Sequence, residues 1–163
     1  MQLVEFNQAS TEDAMIFLKH CVQIPSWSTE LPYASLEDIL NAAQQQAATW
    51  SWDEIKTALD NHPRIGEKQA QAELSEIEKD FSHREQSGIT ADDDTQLALL
   101  KGNLAYETKY GFIFLIKAAG LSSEDVLQAL NYRLLNDPEI EKRIVHHQLA
   151  EIALSRLAQE LHA

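Results

Sequence analysis

The chain has 163 residues, of which 44% are hydrophobic and 24% charged, a size and composition typical of one soluble domain covering residues 1–163. Its 26 acidic and 13 basic side chains give a formal charge of −13, which disfavours nucleic acids and anionic membranes as partners because polyanions need a basic contact surface. No apolar run reaches the roughly 18–20 residues of a membrane-spanning helix, and the N-terminal residues do not resemble a signal peptide, so we expect a cytoplasmic protein.

Helical periodicity and capping residues predict helices in the first third of the chain. Ser10, Ser35 and Ser51 each precede apolar residues spaced three and four apart, so each is expected to cap a helix. The third of these helices must end near His62, because Pro63 biases the residue before it away from the helical conformation.

The middle of the chain continues this pattern with one interruption. A fourth helix is predicted over residues 70–81, and the polar residues around Gly88 then break the periodicity. The helical pattern resumes at Leu97, Leu100 and Leu104.

The apolar run over residues 110–116 fits either a buried strand or a buried helix segment, because periodicity alone cannot distinguish them. Its helical flanks favour a helix. Ser122 or Ser123 is expected to cap the next helix, and Pro138 is typical of the first turn of the last one. Together these patterns predict an all-α single-domain bundle of about seven or eight helices.

A metal site is not expected. His83, preceded by Asp80, is the only histidine with a carboxylate at the Glu-x-x-His offset that helical di-iron sites use. Cys21 is the only cysteine, which excludes a thiolate cluster and an internal disulfide, and we expect its thiol to be buried. The sequence also lacks a glycine-rich phosphate loop and a serine nucleophile elbow.

The segment over residues 61–68 places an imidazole at a helix end. His62 is followed by Pro63, which stiffens the backbone, and by Gly66, which allows a turn. An imidazole ordinarily titrates near neutrality, so a rigidly held histidine is suited to deliver a proton at working pH. The alternative is a histidine that only caps the C-terminus of its helix.

A second polar cluster lies at Ser82, Glu85 and Gln86. On a helix the first two share a face and the third lies beside them, so the cluster could bind one small polar ligand. Alone, the same pattern is also typical of a solvated helix face.

The third feature combines Asn103, Tyr106 and Lys109 with the apolar segment that follows Gly111. Glycine permits a close approach of the backbone, and an apolar wall would remove water from a bound ligand. Plain core packing explains the same aromatic residues equally well.

In this order, the three features resemble the motifs of the 2-oxo-4-hydroxy-4-carboxy-5-ureidoimidazoline (OHCU) decarboxylase family, over most of the chain. The matching residues are His62, Pro63, Ile65 and Gly66; Ser82, Glu85 and Gln86; Asn103, Tyr106, Lys109, Tyr110, Gly111 and Phe112; and, in the last helix, Arg156 and Leu157. Many family members carry Asp-Leu at the positions of Arg64-Ile65 and Phe at the position of Tyr110, whose hydroxyl needs a partner if it is buried.

The resemblance implies a cofactor-free, all-helical carboxy-lyase, usually a homodimer, that removes CO2 from OHCU to give (S)-allantoin in urate degradation. By position, His62 is implied to be the proton donor and Arg156 to face the ligand, with Glu85 as a third catalytic residue. The implied substrate-binding residues are Pro63, Ser82, Glu85, Gln86, Phe114, Leu115, Ile116, Lys117 and Ala118.

These implied roles suit the chemistry of the reaction. The ring and carbonyls of the substrate can delocalise the electron pair left by CO2, so no cofactor is demanded as an electron sink. A guanidinium such as Arg156 is suited to a bidentate hold on a carboxylate. Glu85 could fix the tautomer of His62 or accept a substrate proton, and this division stays open. Lys109 or Lys117 could help Arg156 make the site positive.

The competing hypothesis is a non-catalytic helical interaction module, and a third is a ligand-binding relative that has lost turnover. Trp27, Trp50 and Trp52 are expected to anchor the core or a dimer interface. The combined motif set favours the enzyme, because an adaptor has no need of it.

Overall fold

The computed structural model describes residues 1–24, 27, 35–65, 81, 84–86 and 93–162. Within these ranges the chain forms seven α-helices and no sheet, so the predicted all-α class is confirmed. The helices are α1 (Leu3–Gln8), α2 (Thr11–Cys21), α3 (Leu36–Ala47), α4 (Trp52–Asp60), α5 (Asp93–Tyr110), α6 (Ser123–Arg133) and α7 (Pro138–Glu160). None of these seven is long and apolar enough to cross a membrane. The helix predicted over 70–81 lies outside the described residues except for Phe81.

Four helices begin at serine N-caps, as the sequence predicts. The hydroxyl oxygens of Ser10, Ser35, Ser51 and Ser122 each accept a hydrogen bond from the amide three residues later. Each cap therefore satisfies a backbone N–H that the first helical turn leaves without an intrahelical partner. The short helix α1 has no counterpart in the sequence prediction.

Helix α7 forms the centre of the hydrophobic core. Its buried apolar residues are Val145, Leu149, Ile152, Ala153 and Leu157. This spacing of three and four residues places them on one face, against which α2, α3 and α4 pack. The last predicted helix is thus confirmed, although Ile140 near its start is 45% exposed.

Helices α5 and α6 approach each other closely where Gly102 faces Leu130. A β-carbon at position 102 would overlap Leu130 Cδ2, so a larger residue would require the Leu130 side chain to shift. Glycine at this position therefore permits the tight packing of α5 on α6.

The leucines that indicate α5 in the sequence are on its exposed side. Leu97, Leu100 and Leu104 are 49, 58 and 58% exposed, whereas Leu99 and Tyr106 are buried. The predicted helix is confirmed, but its leucine stripe does not contribute to the core.

An aromatic cluster joins α3 to α7. The indole N–H of Trp27 donates to the Ala43 carbonyl at 3.0 Å, and the rings of Trp27 and Trp50 meet edge to face. The imidazole of His146 stacks on Trp50, and its Nε2 lies 2.7 Å from the Ala47 carbonyl oxygen. Trp27 and Trp50 are therefore core anchors, as the sequence predicts.

The helix predicted over residues 110–116 is wrong. Helix α5 ends at Tyr110, because Gly111 has a φ of +79° and its amide donates to the Glu107 carbonyl at 2.9 Å. Residues 112–118 are neither helical nor paired in a sheet, and the first four of them are all buried. A helix packed on one side buries one face, so four consecutive buried side chains do not fit its pattern.

The thiol of Cys21 is expected to be unreactive in the folded protein. The residue is 1% exposed, and burial raises the pKa of the thiol to about 12, above its ordinary value of 9.0. Since the thiolate is the reactive form, labelling with a disulfide reagent at pH 8 should be at least about a hundredfold slower in the native protein than in guanidinium. Rapid labelling of the native protein would contradict this burial.

Candidate active site

The backbone holds His62 just beyond the end of α4. Its amide donates to the Leu59 carbonyl at 3.0 Å, and its half-buried ring places Nδ1 3.0 Å from the Pro63 carbonyl oxygen. A carbonyl can only accept, so this contact favours the form in which Nδ1 carries a proton. Nε2, the other ring nitrogen, is buried.

Helix α5 anchors the loop that carries His62. The side-chain amide of Asn103 donates to the Ile65 carbonyl at 3.2 Å. The guanidinium of Arg64 binds Glu107 through two nitrogens, with Nε 3.0 Å from Oε2 and Nη2 2.8 Å from Oε1. These contacts fix the backbone on the C-terminal side of the histidine. They also give a structural role to Arg64, at a position where many family members carry Asp.

Glu85 and Arg156, two of the predicted catalytic residues, form a buried ion pair. Arg156 Nε lies 2.6 Å from Glu85 Oε1, and Nη2 lies 2.9 Å from Oε2. Arg156 Nη1 donates to the Cys21 carbonyl at 3.2 Å, and the guanidinium lies over the Phe81 ring. The side chains are 6 and 14% exposed, so the pair is shielded from water. Three distant parts of the chain, around Cys21, around Phe81 and Glu85, and in α7, thus meet at Arg156.

This pairing decides what the carboxylate of Glu85 touches. Both of its oxygens accept from Arg156, while the Pro63 carbonyl lies against Nδ1 of His62. The geometry therefore favours Glu85 as the group that orients Arg156 over Glu85 as the group that fixes the histidine tautomer. That His62 shares one cavity with this pair stays a prediction, and Ser82 lies outside the described residues.

The segment over residues 112–118 receives its hydrogen bonds from α6 and α7. Arg133 Nη1 donates to the Leu115 carbonyl at 2.6 Å, and the Lys117 amide donates to Gln148 Oε1 at 2.7 Å. Lys117 Nζ is 3.9 Å from a Glu151 carboxylate oxygen. Side chains from two helices therefore hold the predicted substrate-binding residues 114–118.

A buried polar network supports that segment. Glu141 is fully buried, and its Oε1 accepts from the Tyr106 hydroxyl at 2.5 Å and from Arg133 Nε at 2.6 Å. Its Oε2 accepts from the Asn136 amide at 3.1 Å. Burial raises the pKa of Tyr106, and the hydrogen bond that its hydroxyl donates to Glu141 raises it further. The Tyr106 hydroxyl therefore keeps its proton at neutral pH and acts as a hydrogen-bond donor.

The Asn-x-x-Tyr-x-x-Lys motif thus has a structural role at each of its three positions. Asn103 anchors the His62 loop and Tyr106 supports the buried network. Lys109 Nζ donates to the Leu134 carbonyl at 2.5 Å and also contacts the Asn136 carbonyl, at the end of α6. The Tyr110 hydroxyl finds the partner it needs in the same Asn136 carbonyl, at 2.6 Å.

A cavity of about 530 Å³ lies between the His62 loop and α5. Arg64, Ile65 and the stretch of α5 from Gln96 to Thr108 line it. His62, Glu85 and Arg156 are not among its lining residues, so we do not assign the substrate to it. The parts of the chain that the structure describes contain no group of three or more His, Cys, Asp or Glu side chains placed to hold a metal ion.

Replacing Glu85 with alanine should destabilise the protein strongly. The change leaves the charge of Arg156 buried without its carboxylate, so the free energy of unfolding should fall by about 3–5 kcal/mol. The matched control is Arg84→Ala, which removes the neighbouring Arg84–Glu160 pair, whose side chains are 44 and 34% exposed. That pair should contribute only about 0–1 kcal/mol. Urea unfolding followed by circular dichroism compares the two variants, and equal losses would contradict the burial argument.

The sequence has relatives in urate degradation. The profile of the family described as OHCU decarboxylase matches residues 7–158. The uric acid degradation bifunctional protein of Bacillus sp. (strain TB-90) is 25% identical over 164 residues, which cover 98% of this chain and 32% of that protein. The uric acid degradation bifunctional protein TTL of Arabidopsis thaliana is 32% identical over 140 residues, which cover 81% of this chain and 41% of that protein. The chain therefore spans less than half the length of these two relatives.

Solved structures share the fold. A crystal structure of OHCU decarboxylase in the presence of (S)-allantoin superposes with a TM-score of 0.73 at 23% identity, covering 93% of this chain and 97% of the other. A crystal structure of (S)-allantoin synthase superposes with a TM-score of 0.71 at 17% identity, covering 99% of this chain and 54% of the other. Because the family profile extends over nearly the whole sequence, the chain belongs to the OHCU decarboxylase family.

Proposed function

We propose that this protein decarboxylates OHCU to (S)-allantoin without a cofactor. The observation that carries the proposal is the family match over residues 7–158. The buried Glu85–Arg156 pair supports it, because two residues 71 positions apart that the motifs single out are in direct contact. His62 joins them as the proposed proton donor.

The reaction requires the protein to orient the substrate and to supply a proton. The bond between the ring carbon and the carboxylate carbon breaks, CO2 leaves, and the bonding electron pair enters the conjugated ring of the substrate. One proton then adds to a ring carbon, and the hydroxyl proton of the substrate moves to the ring nitrogen as the hydroxyl becomes a carbonyl, which completes the neutral product. The protein must therefore align the carboxylate with the acceptor ring and deliver the proton to one face, which sets the stereochemistry.

His62 is suited to the proton delivery. With Nδ1 held against the Pro63 carbonyl, the protonated ring would carry its transferable hydrogen on Nε2. The hydrogen bond from Asn103 to Ile65 limits movement of the loop, so the proton would reach the substrate from one direction.

Arg156 and the segment over residues 114–118 are suited to substrate binding. Glu85 accepts from Nε and Nη2 and the Cys21 carbonyl accepts from Nη1, which leaves one N–H on Nη1 and one on Nη2 for the carboxylate or ureide oxygens of OHCU. The backbone of Phe114, Leu115, Ile116, Lys117 and Ala118 would add amide donors and carbonyl acceptors. Pro63, Ser82 and Gln86 would complete the contacts.

Replacing His62 with asparagine should abolish efficient proton delivery. We expect the rate of (S)-allantoin formation to fall by about 10²–10⁴-fold, the usual contribution of a general acid. OHCU is generated fresh from urate with urate oxidase and hydroxyisourate hydrolase, and optically active product is followed by circular dichroism. The matched control is His147→Asn, which changes an exposed histidine of α7.

The same assay tests the proposed function itself. Rapid appearance of (S)-allantoin with the unaltered protein supports the decarboxylase. Racemic product at the spontaneous rate would overturn it and favour a non-catalytic helical module. Near-normal turnover by His62→Asn would overturn the role of His62 alone.

We also propose that the protein is a homodimer, as the family resemblance implies. The three exposed leucines of α5 support self-association, since a stripe of large apolar side chains is unusual on a solvated helix. Sedimentation equilibrium should give twice the chain mass of 18.4 kDa. Leu100→Glu should weaken the dimer, whereas Leu135→Glu at a site that is 80% exposed should not. A monomeric wild type would contradict the dimer.

A cytoplasmic location stays a prediction.

A further inference from the structure

We propose that Arg133 is a positioning residue for substrate binding, and this inference rests on the proposed function. Arg133 contacts two consecutive residues of the substrate-binding segment. Its Nη1 donates to the Leu115 carbonyl at 2.6 Å, and its guanidinium lies over the Phe114 ring, 4.6 Å from the ring centroid. The side chain is only 6% exposed, so these contacts form away from bulk water.

The guanidinium of Arg133 is itself fixed in place. Its Nε and Nη2 lie 2.6 and 2.5 Å from the same oxygen of Glu141, which is fully buried. Glu141 is held in turn by the Tyr106 hydroxyl and the Asn136 amide. Because Glu141 holds two of its nitrogens, the guanidinium presents a hydrogen-bond donor at a defined position, so the Leu115 carbonyl has one preferred orientation.

The orientation of that carbonyl sets the direction of the next amide. In a trans peptide the C=O and the following N–H point in opposite directions. The Leu115 carbonyl points at Arg133, so the Ile116 N–H points away from the buried network. No residue in the described part of the chain accepts a hydrogen bond from this N–H. It is therefore available to a ligand.

The charge of Arg133 also strengthens this donor. A carbonyl that accepts from a cation is polarised, and its peptide N–H then becomes a better donor through hydrogen-bond cooperativity. OHCU carries a carboxylate and ureide oxygens, all of which accept hydrogen bonds. Arg133 would thus assist the binding of an anionic substrate through the Leu115–Ile116 peptide without touching the substrate.

The test compares two changes within one network. Arg133→Lys keeps the positive charge but loses the planar donor geometry that reaches both Glu141 and Leu115. Tyr106→Phe removes a hydrogen bond to the same Glu141 and leaves the Leu115 contact in place. KM and kcat for freshly generated OHCU and the thermal midpoint are measured for each variant. We expect Arg133→Lys to raise KM about tenfold, and Tyr106→Phe to lower the thermal midpoint with a much smaller change in KM, because Arg133 keeps its contact with Leu115.

A double variant covers the case in which Arg133→Lys does not fold. Arg133→Met with Glu141→Gln removes both buried charges together and leaves neither one unpaired, a change that proteins often tolerate. It should raise KM like the single variant. The amide of Ile116 should also move to lower proton frequency in its NMR spectrum, as expected for a less polarised N–H.

Each outcome decides the proposal. A raised KM with Arg133 changed and a much smaller change in KM with Tyr106→Phe supports it. An unchanged KM in the Arg133 variants, or an equal rise in Tyr106→Phe, would overturn it and assign the network to stability alone. An unaltered protein without turnover would overturn the proposed function first, so the two failures can be told apart.

Discussion

Two charges buried on α7 constrain the rest of the structure. Glu141 and Arg156 are 0 and 5% exposed, and they lie 15 residues apart, which is about 22 Å along the helix axis. A buried charge is tolerated only with a partner of opposite sign and further hydrogen bonds. Arg133 supplies the partner at one end and Glu85 at the other. The central helix can therefore pack in only one register against the elements that carry these partners.

The need to pair charged groups also bears on how an acidic protein could bind an anion. The chain has a formal charge of −13, and the charges of Arg156 and Lys117 face Glu85 and Glu151. Little unpaired positive charge is thus left among these groups. Directed N–H groups can replace it, because hydrogen bonds from fixed donors gain strength in a low-dielectric interior. A site of this kind would recognise the arrangement of substrate oxygens as much as their charge.

The sequence predicts those features that depend on neighbouring residues. Serine caps at Ser10, Ser35, Ser51 and Ser122 are correct, because a cap is a hydrogen bond between residues three positions apart. The helix predicted over 110–116 is wrong, because burial from all sides gives the same apolar run whatever the backbone does. The motifs also named Glu85 and Arg156 as site residues, and the structure pairs them.

What the sequence cannot supply is the pairing of distant polar groups. Tyr106 and Glu141 are 35 positions apart, and Arg133 reaches the Leu115 backbone from another helix. Nothing in the local pattern around Glu141 distinguishes it from a solvated acidic residue. The only signal is Tyr106 in the family motif, and the sequence left open whether its ring lines a pocket or packs in the core.

The two buried ion pairs of α7 also affect how this helix unfolds locally. A helix end usually frays because its last turns lose little by meeting water. Unwinding the turn at Glu141 or the turn at Arg156 would separate a buried ion from its partner, so even partial opening of the helix carries a large free-energy cost. Backbone amides in the middle of α7 should consequently exchange hydrogen with solvent only when the entire domain unfolds, and the slowest-exchanging part of the molecule is then the helix that joins its two polar centres.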